Sequence, residues 1–164
     1  MATCKNCRKS GLFTKVNGLG VCDRCNSIIN IETPPHFRIY KDCCSIIETT
    51  ENPETLKNRL DLLKKQLEYF HTYESKGINL LTPSPSALFQ TLESERDSYY
   101  IECFEKAFKT LAVKVTELKT KSSQVNRIEK FIQLIDEYKS ELIDSSSLSG
   151  MRSRAQKLFD LYSA

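Results

Sequence analysis

Four of the seven cysteines fall in a pattern that can hold a metal ion, Cys4-x2-Cys7-x14-Cys22-x2-Cys25. In each C-x-x-C pair a tight turn lets both sulfurs reach one tetrahedral centre, and two pairs complete a four-sulfur shell. The basic neighbours Lys5, Arg8, Lys9 and Arg24 lower thiol pKa values and offset the net negative charge that four thiolates leave around a divalent cation. The spacing predicts one structural zinc ion, ligated by Cys4, Cys7, Cys22 and Cys25. Two disulfides, an iron–sulfur centre or a redox dithiol would use the same sulfurs. Disulfides need an oxidising compartment, and the N-terminal residues show no apolar stretch of a secretory signal. Four thiolates leave no open coordination position, whereas a catalytic zinc keeps a water site and is often held by histidine.

The remaining reactive side chains give no second constellation. His36 follows Pro34-Pro35 and His71 lies late in a heptad-patterned stretch; both read as packing or surface histidines. Cys43, Cys44 and Cys103 fall on apolar helix faces and read as buried thiols. Acidic groups such as Glu93, Glu95 and Asp97, or Asp136 and Glu137, fall on polar faces. No phosphate-binding glycine loop, dinucleotide fingerprint or H-E-x-x-H is present. The expectation is that the chain is not an enzyme.

Between the cysteine pairs, Asn17-Gly18 flanked by apolar residues is a turn signal, which predicts a short β-hairpin there. Ile28, Ile29 and Ile31 then suit a short helix beginning at the second cysteine pair and stopped by Pro34-Pro35. A knuckle, a hairpin and a helix whose first turn carries the last two ligands resembles the treble-clef group of zinc fingers. The segments Cys4-Lys-Asn-Cys7 and Gly18-Leu-Gly-Val-Cys22-Asp-Arg-Cys25 are also similar to small Cys4 modules attached to many bacterial and phage proteins. The resemblance covers residues 1–33 and implies zinc and a fold type, not an activity, because such modules bind DNA, RNA, protein or nothing external. A segment of this length cannot build its own core, so metal would supply its folding energy.

The elements that must carry this module are helical. Only five Gly and five Pro occur in 164 residues, which favours long helices over a turn-rich β fold. Apolar residues recur at helical spacing in Phe37, Tyr40, Cys43, Cys44 and Ile47. Asn52 and Pro53 fit an N-cap and first helical position, and Leu56, Leu60, Leu63, Leu67 and Phe70 form a heptad seam. Gly77 fits a helix stop, and Ser84-Pro85 a new start. The pattern predicts helices over about 36–50, 53–75, 85–120, 123–144 and 150–162. The expected fold is mainly α: a Cys4 zinc module (1–33; β-hairpin plus short helix) attached to an elongated antiparallel helical bundle (34–164).

Charge narrows the function. The sequence holds 24 Lys+Arg and 21 Asp+Glu, and the entire excess lies in residues 1–33; every later segment is balanced. A neutral helical body is not the footprint of a general nucleic-acid binder. No run is long and apolar enough to span a bilayer, so a cytoplasmic, membrane-free protein is expected. The first expectation is a non-enzymatic interaction or regulatory module, of adaptor or inhibitor type. It would meet a protein partner through Leu12, Phe13, Lys9, Lys15 and Arg24, with homodimerisation through the Leu56–Phe70 seam a further route. The alternative is a nucleic-acid-binding regulator in which Lys5, Arg8, Arg152, Arg154 and Lys157 join the basic loop.

Overall fold

The computed structural model describes residues 2–164. The chain is mainly helical, with one two-stranded antiparallel sheet at the N-terminus. The strands are β1 (Ala2–Thr3) and β2 (Ser10–Gly11). Six helices follow: α1 (Asp23–Thr49), α2 (Pro53–Glu74), α3 (Pro85–Ser94), α4 (Arg96–Glu117), α5 (Lys121–Lys139) and α6 (Ser146–Ser163). Two compact units emerge, one of residues 2–46 with 59–93 and one of 47–58 with 94–164.

In the first unit α1 and α2 run antiparallel, locked by aromatic contacts. His36 stacks on Tyr69 at 3.6 Å, Phe37 meets Phe70 at 4.7 Å, and Arg59 pairs with Asp42 at 2.8 Å. His36 is thus a packing histidine, with Nδ1 2.8 Å from the Gln66 side-chain oxygen. Leu56, Leu60, Leu63, Leu67 and Phe70 are all buried within the chain.

The second unit has a core of its own. The Phe104 ring lies 6.1 Å from Phe131 and 6.0 Å from Tyr138, and α6 packs on α4 and α5 through Leu148, Met151 and Ala155, all buried. Thr120 caps α5 by accepting from the Ser123 N–H.

Start and stop signals read from the sequence match the structure at several helix ends. Asn52 accepts from the Thr55 N–H at 2.9 Å ahead of Pro53, and Ser84 precedes Pro85. Gly77, at φ +73°, closes α2 in a Schellman motif: Ile78 N–H donates to the Tyr73 carbonyl and Gly77 N–H to that of Glu74.

Other boundaries differ. Pro34-Pro35 does not end a short helix; α1 continues through both prolines. Each proline removes an intrahelical donor and crowds the carbonyl four residues back, but contacts on both sides hold the helix together. Cys25 and Ile29 are buried before the prolines, the His36 and Phe37 stacks follow them, and the Thr33 hydroxyl donates to the Ile29 carbonyl at 2.8 Å. The single helix expected over 85–120 is two, broken at Glu95. Arg96 there donates to the Glu141 carbonyl at 2.7 Å, and Asp97 accepts from the Ile143 and Asp144 N–H groups. Helix α6 starts at Ser146, not 150, because Asp144 accepts from the Ser146 N–H and Leu148 is drawn into the core.

Candidate metal centre

The Cys4, Cys7, Cys22 and Cys25 sulfurs lie within 4.8 Å of one another. The Cys7–Cys22 separation is 3.9 Å, close to the roughly 3.8 Å edge of a tetrahedron with Zn–S bonds of ~2.3 Å. Four sulfurs so placed form a site positioned to bind a metal ion.

Two local devices bring them together. The first pair sits on a knuckle in which Cys4 N–H donates to the Lys9 carbonyl and Arg8 N–H to that of Cys4, both at 2.9 Å. Arg8 adopts φ +61° to close the turn. The paired strands flank this knuckle, with Ala2 opposite Gly11 and Thr3 opposite Ser10. The hairpin therefore encloses the first cysteine pair; it does not separate the two pairs. The Asn17-Gly18 turn exists but joins no strands. Asn17 Oδ1 accepts from the Leu19 and Val21 N–H groups, and its amide donates to Asn26 on α1 at 2.8 Å. This bracket delivers Cys22 to the start of α1 and Cys25 to its first turn.

The sulfurs have unlike surroundings: Cys4 and Cys25 are buried, Cys7 is exposed. Burial pushes the Cys4 thiol up, but hydrogen bonds from backbone near Cys7, Cys22 and Asn6 outweigh it and hold its pKa at about 6. Burial raises Cys25 to about 12, opposed by the Asn6 side-chain amide donating toward its sulfur. Thiol ligands bind a metal ion in the thiolate form, so binding releases protons.

The cluster sits on a core shared with distant residues. Cys4, Val21, Cys25 and Ile29 pack with Tyr73 and Ile78, and Leu19, Tyr69 and Leu80 close the rim. Lys5 Nζ donates to the Gly77 carbonyl at 2.7 Å, its methylenes crossing Gly20, where an added Cβ would come within 2.7 Å of them. Lys76 Nζ donates to Asn6 Oδ1 at 2.9 Å. These ties between the knuckle and the end of α2 carried no sequence signal, because they join residues some seventy positions apart.

Leu12 and Phe13 are 84% and 95% exposed. With Lys9, Lys15, Arg24 and Ile28 they border a concavity of about 950 Å³ that reaches Cys7 and Cys22. The five residues proposed for partner binding thus gather at one place. Three of the alternative set are engaged within the chain. Lys5 is engaged by Gly77; Arg152 pairs with Asp136 at 2.7 Å; Arg154 pairs with Glu105 at 2.9 Å and lies over the Phe108 ring. Arg8 and Lys157 are exposed at opposite ends of the sequence.

One reactive-looking group escaped the sequence reading. Ser86 Oγ lies 3.3 Å from His71 Nδ1 and 2.7 Å from Glu74 Oε2. His71 Nδ1 is also 2.8 Å from the same carboxylate oxygen, and the Ser86 backbone N–H donates to it. One ring nitrogen faces both the hydroxyl and the acid, whereas a nucleophilic triad puts them on opposite nitrogens. This is a carboxylate cap on α3, not a relay.

Compared with models of known protein families, with curated proteins and with solved structures, the chain matches none. Among the described residues no helix is long and apolar enough to cross a membrane.

Proposed function

We propose that the chain is a non-enzymatic, zinc-stabilised interaction module of regulatory type, acting as an adaptor or inhibitor in the cytoplasm. Residues 2–33 serve as a treble-clef-like finger with one structural Zn²⁺ on Cys4, Cys7, Cys22 and Cys25. A reducing compartment suits four free thiolates. The observation that carries the reading is the exposure of Leu12 and Phe13 on a loop whose two ends are fixed by cysteine ligands. Exposed aromatic and aliphatic groups on a rigid scaffold mark contact sites. The nucleic-acid alternative has less support, because Lys5, Arg152 and Arg154 are already engaged within the chain.

Two measurements test this. Elemental analysis of the purified protein should find one zinc per chain. A photo-crosslinking amino acid placed at Phe13 in living cells should form discrete protein adducts. They should vanish in Cys7→Ser and be absent with the crosslinker at Leu161, a 72% exposed residue of α6. No adduct at Phe13, or the same adducts at both positions, would overturn the reading.

A further inference from the structure

We propose that the concavity beside the cysteine cluster receives an acidic protein segment with an apolar anchor. This rests on the interaction reading above and assigns that site a partner chemistry. The anchor seats against Leu12, Phe13 and Ile28, which line the hollow; flanking carboxylates reach Lys9, Lys15 and Arg24.

Three observations converge. Leu12 and Phe13 are almost fully exposed and Ile28 partly so, so covering them releases water from apolar surface. Lys9, Lys15 and Arg24 surround them, and none forms an ion pair among the described residues. Unpaired rim cations steer and orient a partner of opposite charge. The floor and rim also discriminate between anions. Asp23 lines the same hollow, and its carboxylate opposes a phosphate backbone that would have to lie along it. Phe13 is the one ring among the described residues lining the hollow, whereas a single strand needs successive rings for its successive bases. A peptide can place an apolar side chain over that floor and hold its carboxylates at the rim, so the chemistry favours protein over nucleic acid.

The test is selection of a phage-displayed random peptide library on the full-length, zinc-loaded protein, with depletion on the L12A/F13A variant. The selected sequences should carry Asp or Glu around Leu, Phe or Trp. Their affinity should fall about tenfold on K9E/K15E/R24E, stay unchanged on a control reversed at Lys157, and resist competition by a single-stranded oligonucleotide. Retention of one zinc per chain checks that each variant is folded. No enrichment, enrichment of basic or uncharged sequences, indifference to the charge reversals, or displacement by the oligonucleotide would each overturn the proposal. Protein adducts at Phe13 combined with non-acidic enrichment would defeat the partner chemistry alone; absence of adducts would defeat the interaction reading beneath it.

Discussion

Cys4 and Cys25 are buried and Cys7 is exposed, so the four sulfurs should respond differently to replacement. Cys7→Ser and Cys25→Ser should both abolish stoichiometric zinc, read by elemental analysis. Cys25→Ser should lower Tm further, because it also places a hydroxyl in an apolar core. Asn6 is not a ligand, yet its amide faces the Cys25 sulfur and its carbonyl oxygen takes the Lys76 ammonium. Asn6→Ala should weaken zinc about 10- to 100-fold, the usual effect of losing an outer-sphere partner, checked by competition with a chelating dye. At the carboxylate cap of α3, hydrogen bonds from His71 and then Ser86 hold the Glu74 carboxyl down at about 2, from 4.5. A depressed carboxyl contributes stability that is complete above its unfolded value and lost as pH falls through the folded one. Glu74→Gln should therefore lower Tm at neutral pH, and the difference from the parent should shrink between about pH 4.5 and pH 2, followed by thermal melts across that range.

Among the elements, the C-terminal turn of α2 carries the most consequence. Its Schellman end supplies the Gly77 carbonyl to Lys5, and Tyr73 and Ile78 to the core under the cysteines. Removal of zinc or Lys5→Ala should raise amide hydrogen exchange in residues 69–80, far in sequence from any of the four cysteines. Unchanged protection there would show that the finger and this helix end are independent. Gly20 holds φ +78° with Lys5 methylenes against it, so Gly20→Ala combines backbone strain with a steric clash and should cost about 1–3 kcal/mol in chemical denaturation. What was legible in the sequence follows the same division. The cysteine spacing, Asn52-Pro53, Ser84-Pro85 and Gly77 are local signals and match the structure, because caps and knuckles are made by neighbours in the chain. Pro34-Pro35 was misread because its local cost is outweighed by rings from another helix. Asn17-Gly18 was misread because its side chain braces α1 and pairs no strands. Lys5, counted as a free cation, is occupied by a carbonyl no local pattern reveals.

At the scale of the whole molecule, each unit has its own core: Cys4, Cys25, Tyr73 and Ile78 in one, and Phe104, Ile128, Ile135 and Leu148 in the other. A strong chelator should therefore release protection in the N-terminal unit and leave amides of α4–α6 slow to exchange. Phe104→Ala, which removes a fully buried ring, should destabilise the second unit by about 3–5 kcal/mol while the zinc content stays at one per chain.

The core beneath the cysteines also has an order in time. The ribosome makes all four sulfurs before it makes any of α2, so a metal ion can close the knuckle while Tyr73, Ile78 and the Gly77 carbonyl do not yet exist. Until they emerge, Val21 and Ile29 face water and the nascent finger lacks one wall. The growing chain thus passes through an interval in which its metal ligands are complete and their shelter is not, and synthesis of the α2 end brings that interval to a close.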